Sequence, residues 1–271
     1  MKNNKLISFI INSNMGFLKK PDINDSIYLT FNMLHKPVLL GILGAIAGLE
    51  GFKKGTNFPE YYNELQEVLV GIEPINHKNG YFQKTVIKYS NTTGFANEGE
   101  NKKGTNLLIS EQTLLKPSYK IYVLLDLRNK YQKKLYNYIK EQKAEYLPYL
   151  GKNDYPIWWT EFIEYSNWKH IDNIEKAIEI STIFIKGRPL KEINENENEN
   201  FDLFDFSNID KEKNYFAYFE RLPVKYDEVV QQYEYKNFVF TNFKIKFSKD
   251  FIKSDIYKIT YNDNNIFISL F

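Results

Sequence analysis

Residues 6–11 (LISFII) form a dense apolar run between polar flanks, which predicts a first strand. A long polar loop follows over 12–36, holding Lys19-Lys20-Pro21 and Tyr28. Pro37 suits the first turn of a helix, where its missing N–H costs no bond. That helix is expected to run to about residue 49 and to end at Glu50-Gly51, with Gly51 as its C-cap. Residues 68–75 predict a second strand. Residues 81–89 and 107–109 read as the two arms of an extended hairpin, and its tip, 91–105, is rich in Gly, Asn and Lys. Residues 119–125 predict another strand, bounded by Pro117-Ser118 and Asp126. Asp126 suits the N-cap of a helix over 127–145, where Tyr131, Leu135, Tyr138 and Ile139 recur at helical spacing. Residues 158–170 supply further extended structure.

This order, strand, helix, strand, hairpin, strand, helix, strand, is the βαββαβ pattern that RNA-recognition domains also use. The remainder differs: 178–185, 215–221, 238–247, 256–261 and 266–271 are all strand-like. The expected fold class is α+β, a ferredoxin-like (RRM-like) domain over 1–177 with a projecting β-hairpin thumb at about 78–117. A smaller β-rich domain is expected over 178–271. It carries an acidic insertion at about 190–212 in which Glu and Asn alternate over 195–200.

Composition adds two constraints. With 43% hydrophobic and 26% charged residues in 271, the chain is globular. The aromatic share of 17%, carried by 21 Tyr and 21 Phe, provides planar surfaces on which bases can stack. There is no cysteine, so disulfides and Cys-based metal sites are excluded and a reducing compartment is expected. The opening apolar run is too short for a signal-peptide core, and the apolar run 38–49 is about half a membrane span. A cytoplasmic protein with no membrane partner is expected.

The net charge of +2 says little; its distribution says more. Residues 1–150 carry 20 Lys/Arg against 13 Asp/Glu, a net of +7, while the rest carries 16 against 21, a net of −5. Residues 190–212 hold 8 acidic and 2 basic residues, so the rest of the chain stands at +8. The N-terminal half is therefore the candidate polyanion-binding half.

Three constellations could carry function. Gly41, Gly44 and Gly48 fall along one helix face, each at a cost of about 1 kcal/mol in helix propensity. Such a face permits tight helix packing, or close approach to a sheet or a sugar-phosphate backbone. No Gly-Lys-Ser/Thr follows, so it is not a nucleotide phosphate loop. The loop residues Phe17, Lys19, Lys20, Tyr28, His35 and Lys36 combine cations, aromatics and an imidazole, which suits RNA as well as a solvated basic loop. Lys84, Lys88, Lys102, Lys103 and Lys116 make the hairpin basic, able to hook a nucleic acid or a neighbouring subunit, or simply to be a mobile loop. His35, His77 and His170 show no metal-ligand spacing, and no nucleophile elbow is present.

One resemblance gathers these features. Phe17-Leu18-Lys19-Lys20-Pro21, Leu29-Thr30-Phe31 and the Lys36-Pro37 step into 38–49 (VLLGILGAIAGL) resemble the N-terminal signature of the fifth Cas family. Its members are the RAMP-type subunits that grip the 5′ handle of the guide RNA in type I Cascade complexes. Residues 114–123 (LLKPSYKIYV) look like the segment after that family's thumb, and Pro148-Tyr149-Leu150-Gly151-Lys152-Asn153-Asp154 looks like its PYLG motif. Glu220-Arg221-Leu222-Pro223 and 267–271 resemble the subtype I-B branch. The resemblance spans nearly the whole chain, the acidic insertion excepted.

It implies a non-catalytic subunit without cofactor or metal, which caps the backbone filament in antiviral defence. The implied partners are the guide RNA handle, the Cascade backbone subunit and the large subunit, with target DNA reached only through the complex. Lys19 falls where the family usually has Arg, Lys36 falls on the basic residue before the helix, and Leu34-His35 replaces the usual Pro-Pro. The expected RNA contacts are Phe17, Lys19, Lys20, Tyr28, His35, Lys36, Gly41 and the hairpin lysines. The alternative is a metal-independent endoribonuclease like the I-C relatives, for which Tyr28, His35 and Lys36 have suitable chemistry.

Overall fold

A computed structural model describes residues 3–21, 26–55, 58–91, 107–172, 176–187, 204–205, 210, 212–227, 229–230, 232–245 and 252–271. Its centre is a four-stranded antiparallel sheet of β1 (Asn4–Ser13), β3 (Leu69–Ile75), β6 (Ser118–Asp126) and β7 (Ile157–Tyr165), in the order β3-β6-β1-β7. Helix α1 (Lys36–Ala47) joins β1 to β3, with β6 lying between them. Helix α3 (Lys130–Lys140) joins β6 to β7, with β1 between. Two interleaved split βαβ units result, and the fold class is α+β.

Both faces of this sheet are covered, which explains the apolar run in β1, broken only by Ser8. Ile7, Phe9 and Ile11 share a core with Leu39 and Leu43 of α1 and Leu135 and Ile139 of α3. Leu6, Tyr122 and Tyr165 point the other way, onto a sheet of β8 (Trp168–Ile171), β12 (Asp255–Tyr261) and β13 (Asn264–Leu270). Each large apolar side chain so buried stabilises the fold by about 1.5–3 kcal/mol. The polar groups in this layer are paired: Tyr122 donates to Glu73 at 2.9 Å, and Ser8 and Tyr165 share a hydrogen bond of 2.8 Å.

A third sheet, β10-β11-β9, is built from β9 (Phe184–Ile185), β10 (Ala217–Asp227) and β11 (Gln232–Thr241). Its Tyr218, Leu222, Phe238 and Phe240 join the core on the helix side of the first sheet. Hydrogen bonding crosses the boundary expected at residues 177 and 178, because β8 pairs with β12 and Val70 exchanges main-chain bonds with Phe271. The fourth sheet is the thumb: β2 (Met15–Gly16), β5 (Leu107–Leu115) and β4 (Lys84–Asn91), with β4 and β5 paired from Lys84–Leu114 to Asn91–Leu107. The expected tip, with Lys102 and Lys103, and most of the acidic insertion lie outside the described residues.

Several expected boundaries move for identifiable reasons. Helix α1 stops at Ala47 because Gly48, at φ 76°, takes the left-handed cap position, and Leu49 N–H bonds back to Gly44 O at 2.9 Å. Gly51 is not the cap. Helix α3 starts later than expected, capped by Asn129, whose Oδ1 accepts from Tyr131 and Gln132 N–H at 2.9 and 3.2 Å. Asp126 is still the end of β6 and instead takes a two-pronged ion pair with Arg128. The strand expected over 178–185 shrinks to β9 plus isolated bridges at Ile178 and Ile180. Strand β10 runs on past Pro223, which is tolerated because β10 is an edge strand and its register shifts there.

Candidate nucleic-acid interface

The loop between β2 and α1 is folded against the thumb. Phe31 N–H bonds Leu18 O at 2.7 Å and Lys20 N–H bonds Leu29 O at 2.9 Å, so 18–20 and 29–31 form a short ribbon. Thr30 Oγ1 accepts from Leu18 N–H at 2.8 Å. Tyr28 is strapped to β5: its N–H donates to Ser110 O at 2.9 Å, and its carbonyl accepts from Gln112 N–H at 2.8 Å. Lys19 is exposed and its Nζ stands 4.1 Å above the Tyr28 ring.

A buried carboxylate organises the next stretch. Glu220 of β10 accepts from Asn32 N–H at 3.0 and 3.2 Å and from Met33 N–H at 2.9 Å, and lies 3.6 Å from Lys20 Nζ. Asn32 is fully buried with its remaining groups bonded to Tyr119, Gly80 and Phe82. Lys84 stands in the same field. Burial holds its pKa below the ordinary lysine value, with Glu220 opposing and Lys20 adding to the shift.

A second buried carboxylate, Glu111 of β5, anchors the thumb. Lys152 Nζ donates to it at 2.8 Å, and the Tyr89 and Tyr155 hydroxyls each donate at 3.3 Å. Lys152 also reaches Tyr89 Oη at 3.2 Å and sits 4.8 Å over that ring. Burial works against the Lys152 charge, but the bonds to Glu111 and Tyr89 outweigh it and hold the pKa above the usual lysine range. Gly151 delivers this lysine: at φ 84° it passes so close to Phe17 that a Cβ would lie 1.8 Å from the Phe17 carbonyl oxygen. Phe17 N–H in turn bonds Leu150 O at 3.1 Å.

Of the expected site residues, the structure brings Lys19, Lys20, Tyr28 and Lys84 to the foot of the thumb, with Lys88 and Lys116 exposed on and beside its arms. Phe17 is buried under this region instead of projecting from it. His35 and Lys36 face inward. The His35 ring packs edge-on against Phe31 at 5.2 Å, its Nδ1 has no hydrogen-bond partner among the described residues, and burial pushes its pKa down to about 3. Lys36 Nζ donates to Phe271 O at 3.1 Å; burial lowers its pKa to about 8, with Glu67 opposing and Lys225 adding.

The glycines of α1 also separate. Gly44 passes Tyr61 of α2 (Glu60–Leu65) so closely that a Cβ would fall 2.3 Å from the Tyr61 Cβ. Gly41 leaves 3.8 Å to that ring, and Gly48 is the cap. Close packing against α2 is thus what the Gly44 face serves; the sheet meets the opposite face, through Leu39 and Leu43.

Sequence reasoning missed Lys152, Glu111, Glu220 and Asn32. Lys152 and Glu220 carried a signal, since they lie in the segments Pro148-Tyr149-Leu150-Gly151-Lys152-Asn153-Asp154 and Glu220-Arg221-Leu222-Pro223 that carry the resemblance. Among the described residues no cluster of potential metal ligands occurs, and no helix is long and apolar enough to cross a membrane.

No family model matches the chain, and no curated protein matches it. Among solved structures it is similar to a chain of a "CRISPR RNA-guided surveillance complex" at 10% identity and TM-score 0.46, over 88% of this chain and 91% of that one. It is similar to a CRISPR protein from Archaeoglobus fulgidus at 10% identity and TM-score 0.44, over 97% and 98% of the two chains. A third is the functionally uncharacterized protein SMU1763c from Streptococcus mutans, at 13% identity and TM-score 0.32, over 58% of this chain and 66% of that one.

Proposed function

We propose that this chain is an RNA-holding subunit of a CRISPR effector complex, gripping the 5′ handle of the guide RNA at the foot of its thumb. The observation that carries this reading is Lys19 standing over the Tyr28 ring on a loop strapped to the thumb, which also holds the Lys152–Tyr89 pair, with Lys20 and Lys84 sharing the field of Glu220. Cations that meet phosphate beside rings that stack on bases are the two components of single-strand recognition. The sequence resemblance to the fifth Cas family, subtype I-B branch, supplies the handle, the backbone and large-subunit partners, and the filament-capping role. Target DNA is then met only through the complex.

The reading is non-catalytic. A cleaving site would need His35 as base, yet that ring is buried with a pKa of about 3, and Lys36 spends its ammonium on Phe271. Photo-crosslinking of repeat-derived handle RNA to the protein, followed by peptide mapping, tests the proposal. Crosslinks are expected in 17–36 and on the thumb arms. Crosslinks confined to other segments, or a discrete RNA cut in EDTA abolished by His35→Ala, would overturn it.

A further inference from the structure

A cleft of about 520 Å³ opens beside α1, between α2, the segment 146–151 and the β10–β11 hairpin. On its floor α1 presents the small residues Gly41 and Ala45 beside Val38 and Ile42. Its walls are rings: Phe58 and Tyr61 on one side, Tyr146 and Tyr149 on the second, Tyr226 and Tyr233 on the third. Phe52 and Leu147 also line it while remaining 73% and 71% exposed. Apolar groups this exposed, gathered in one concavity, mark a recognition surface.

The chemistry of the lining narrows the occupant. Among the described residues that line it there is no Lys, Arg, Asp or Glu, and the lysines at the thumb foot are not part of it. A nucleic-acid strand needs cations along its phosphates, so this cleft is unsuited to one. A charged peptide would lose its hydration here without a counter-charge. Meanwhile the hydroxyls of Tyr146, Tyr149 and Tyr233, each 40–49% exposed, make no hydrogen bond to any described residue. The Tyr62 hydroxyl differs, because it accepts from Tyr226 N–H at 2.8 Å. His35 lines the cleft as well, more than nine-tenths buried and with Nδ1 unpartnered among the described residues.

The occupant should therefore be apolar and uncharged, with main-chain carbonyls free to accept from the phenols. A proline-rich segment in the polyproline II conformation has these properties, and its preformed backbone keeps the ordering cost low. We propose that the cleft docks a proline-rich extended segment of a partner protein. The cleft shares His35 and Gly41 with the residues expected from sequence to meet RNA, but none of the lysines at the thumb foot.

The test is a fluorescence-polarisation titration of the full chain with decaproline and an array of Pro-X-X-Pro decapeptides, beside a Gly/Ser decapeptide and a uridine decamer. At least one proline-rich peptide should bind while the Gly/Ser peptide does not. Tyr149→Ala with Tyr233→Ala should weaken that binding about tenfold or more, as loss of anchoring aromatics does, and leave handle-RNA affinity unchanged. Gly41→Leu, which keeps both tyrosines and fills the floor, should also block the peptide. The proposal fails if no proline-rich peptide binds at about 1 mM, or if binding survives both variants. It fails equally if the tyrosine substitutions weaken RNA binding instead, which would make the cleft part of the nucleic-acid site.

Discussion

Glu220 and Asn32 lie 188 residues apart, yet the Glu220 carboxylate accepts the Asn32 main-chain N–H through both of its oxygens, at 3.0 and 3.2 Å. It takes Met33 N–H as well. The edge strand β10 thereby fixes the turn through which the basic loop enters α1, and it places Lys20 beside Lys84.

Removing that carboxylate strands two buried donors. Each unsatisfied group costs about 1–3 kcal/mol, so Glu220→Ala should destabilise the protein by about 2–6 kcal/mol in urea unfolding. Glu220→Gln keeps one acceptor and should lose less. A variant within about 0.5 kcal/mol of the parent would show that the loop is held otherwise.

The Glu111–Lys152 pair sets the thumb. Lys152→Met leaves a carboxylate that is 2% exposed without its cation, a change that typically costs about 3–5 kcal/mol. Adding Glu111→Gln should recover much of the loss, because an uncharged amide no longer needs the partner. Equal instability of the single and double variants in thermal unfolding would rule out the charge as the cause.

The α1 glycines should respond oppositely to alanine. Gly41→Ala meets only ordinary contacts and should be neutral or stabilising by up to about 1 kcal/mol. Gly44→Ala pushes a Cβ into Tyr61 Cβ, which no rotamer change relieves, and should destabilise by about 1–3 kcal/mol despite its better propensity. Equal melting temperatures for the two variants would contradict the packing role.

His35 gives a pH signature. Its folded pKa of about 3 lies below the ordinary 6.5, so the unfolded chain binds a proton that the folded one refuses. The penalty is absent above pH 6.5 and grows as pH falls toward 3, by about 1.4 kcal/mol per unit. His77 shifts in the same direction through burial. Because the His35 side chain makes no capping bond, His35→Leu should remove its share, leaving the variant about 2 kcal/mol less sensitive than the parent between pH 7 and 5. Parallel stability curves would contradict the burial of this ring.

Much of this architecture was legible in local pattern. The run in β1, the Pro37 helix start, the two thumb arms, β6, and the strands beginning near 217 and 255 all follow from periodicity and punctuation. The caps were not, since Asp126 and Asn129 are equally good candidates until β6 is seen to hold Asp126 in the sheet. Side-chain direction was hidden too. His35 and Lys36 look like loop residues in sequence, but Phe31 and Phe271 enclose them. The partners Glu220 and Glu111 belong to distant strands, and no spacing rule connects them to the loop they hold.

The most direct measurement is the salt dependence of handle-RNA affinity for the parent protein and for Lys19→Glu, Lys88→Glu and Lys36→Gln. Lys19 and Lys88 are exposed at the thumb foot and on its arm, so each reversal should weaken binding and flatten the logarithmic salt slope by about 0.7 per lost phosphate contact. Lys36, buried against Phe271, should leave the slope unchanged. Unaltered affinity and slope in the two exposed variants, with a loss confined to Lys36→Gln, would contradict the placement of RNA at the foot of the thumb.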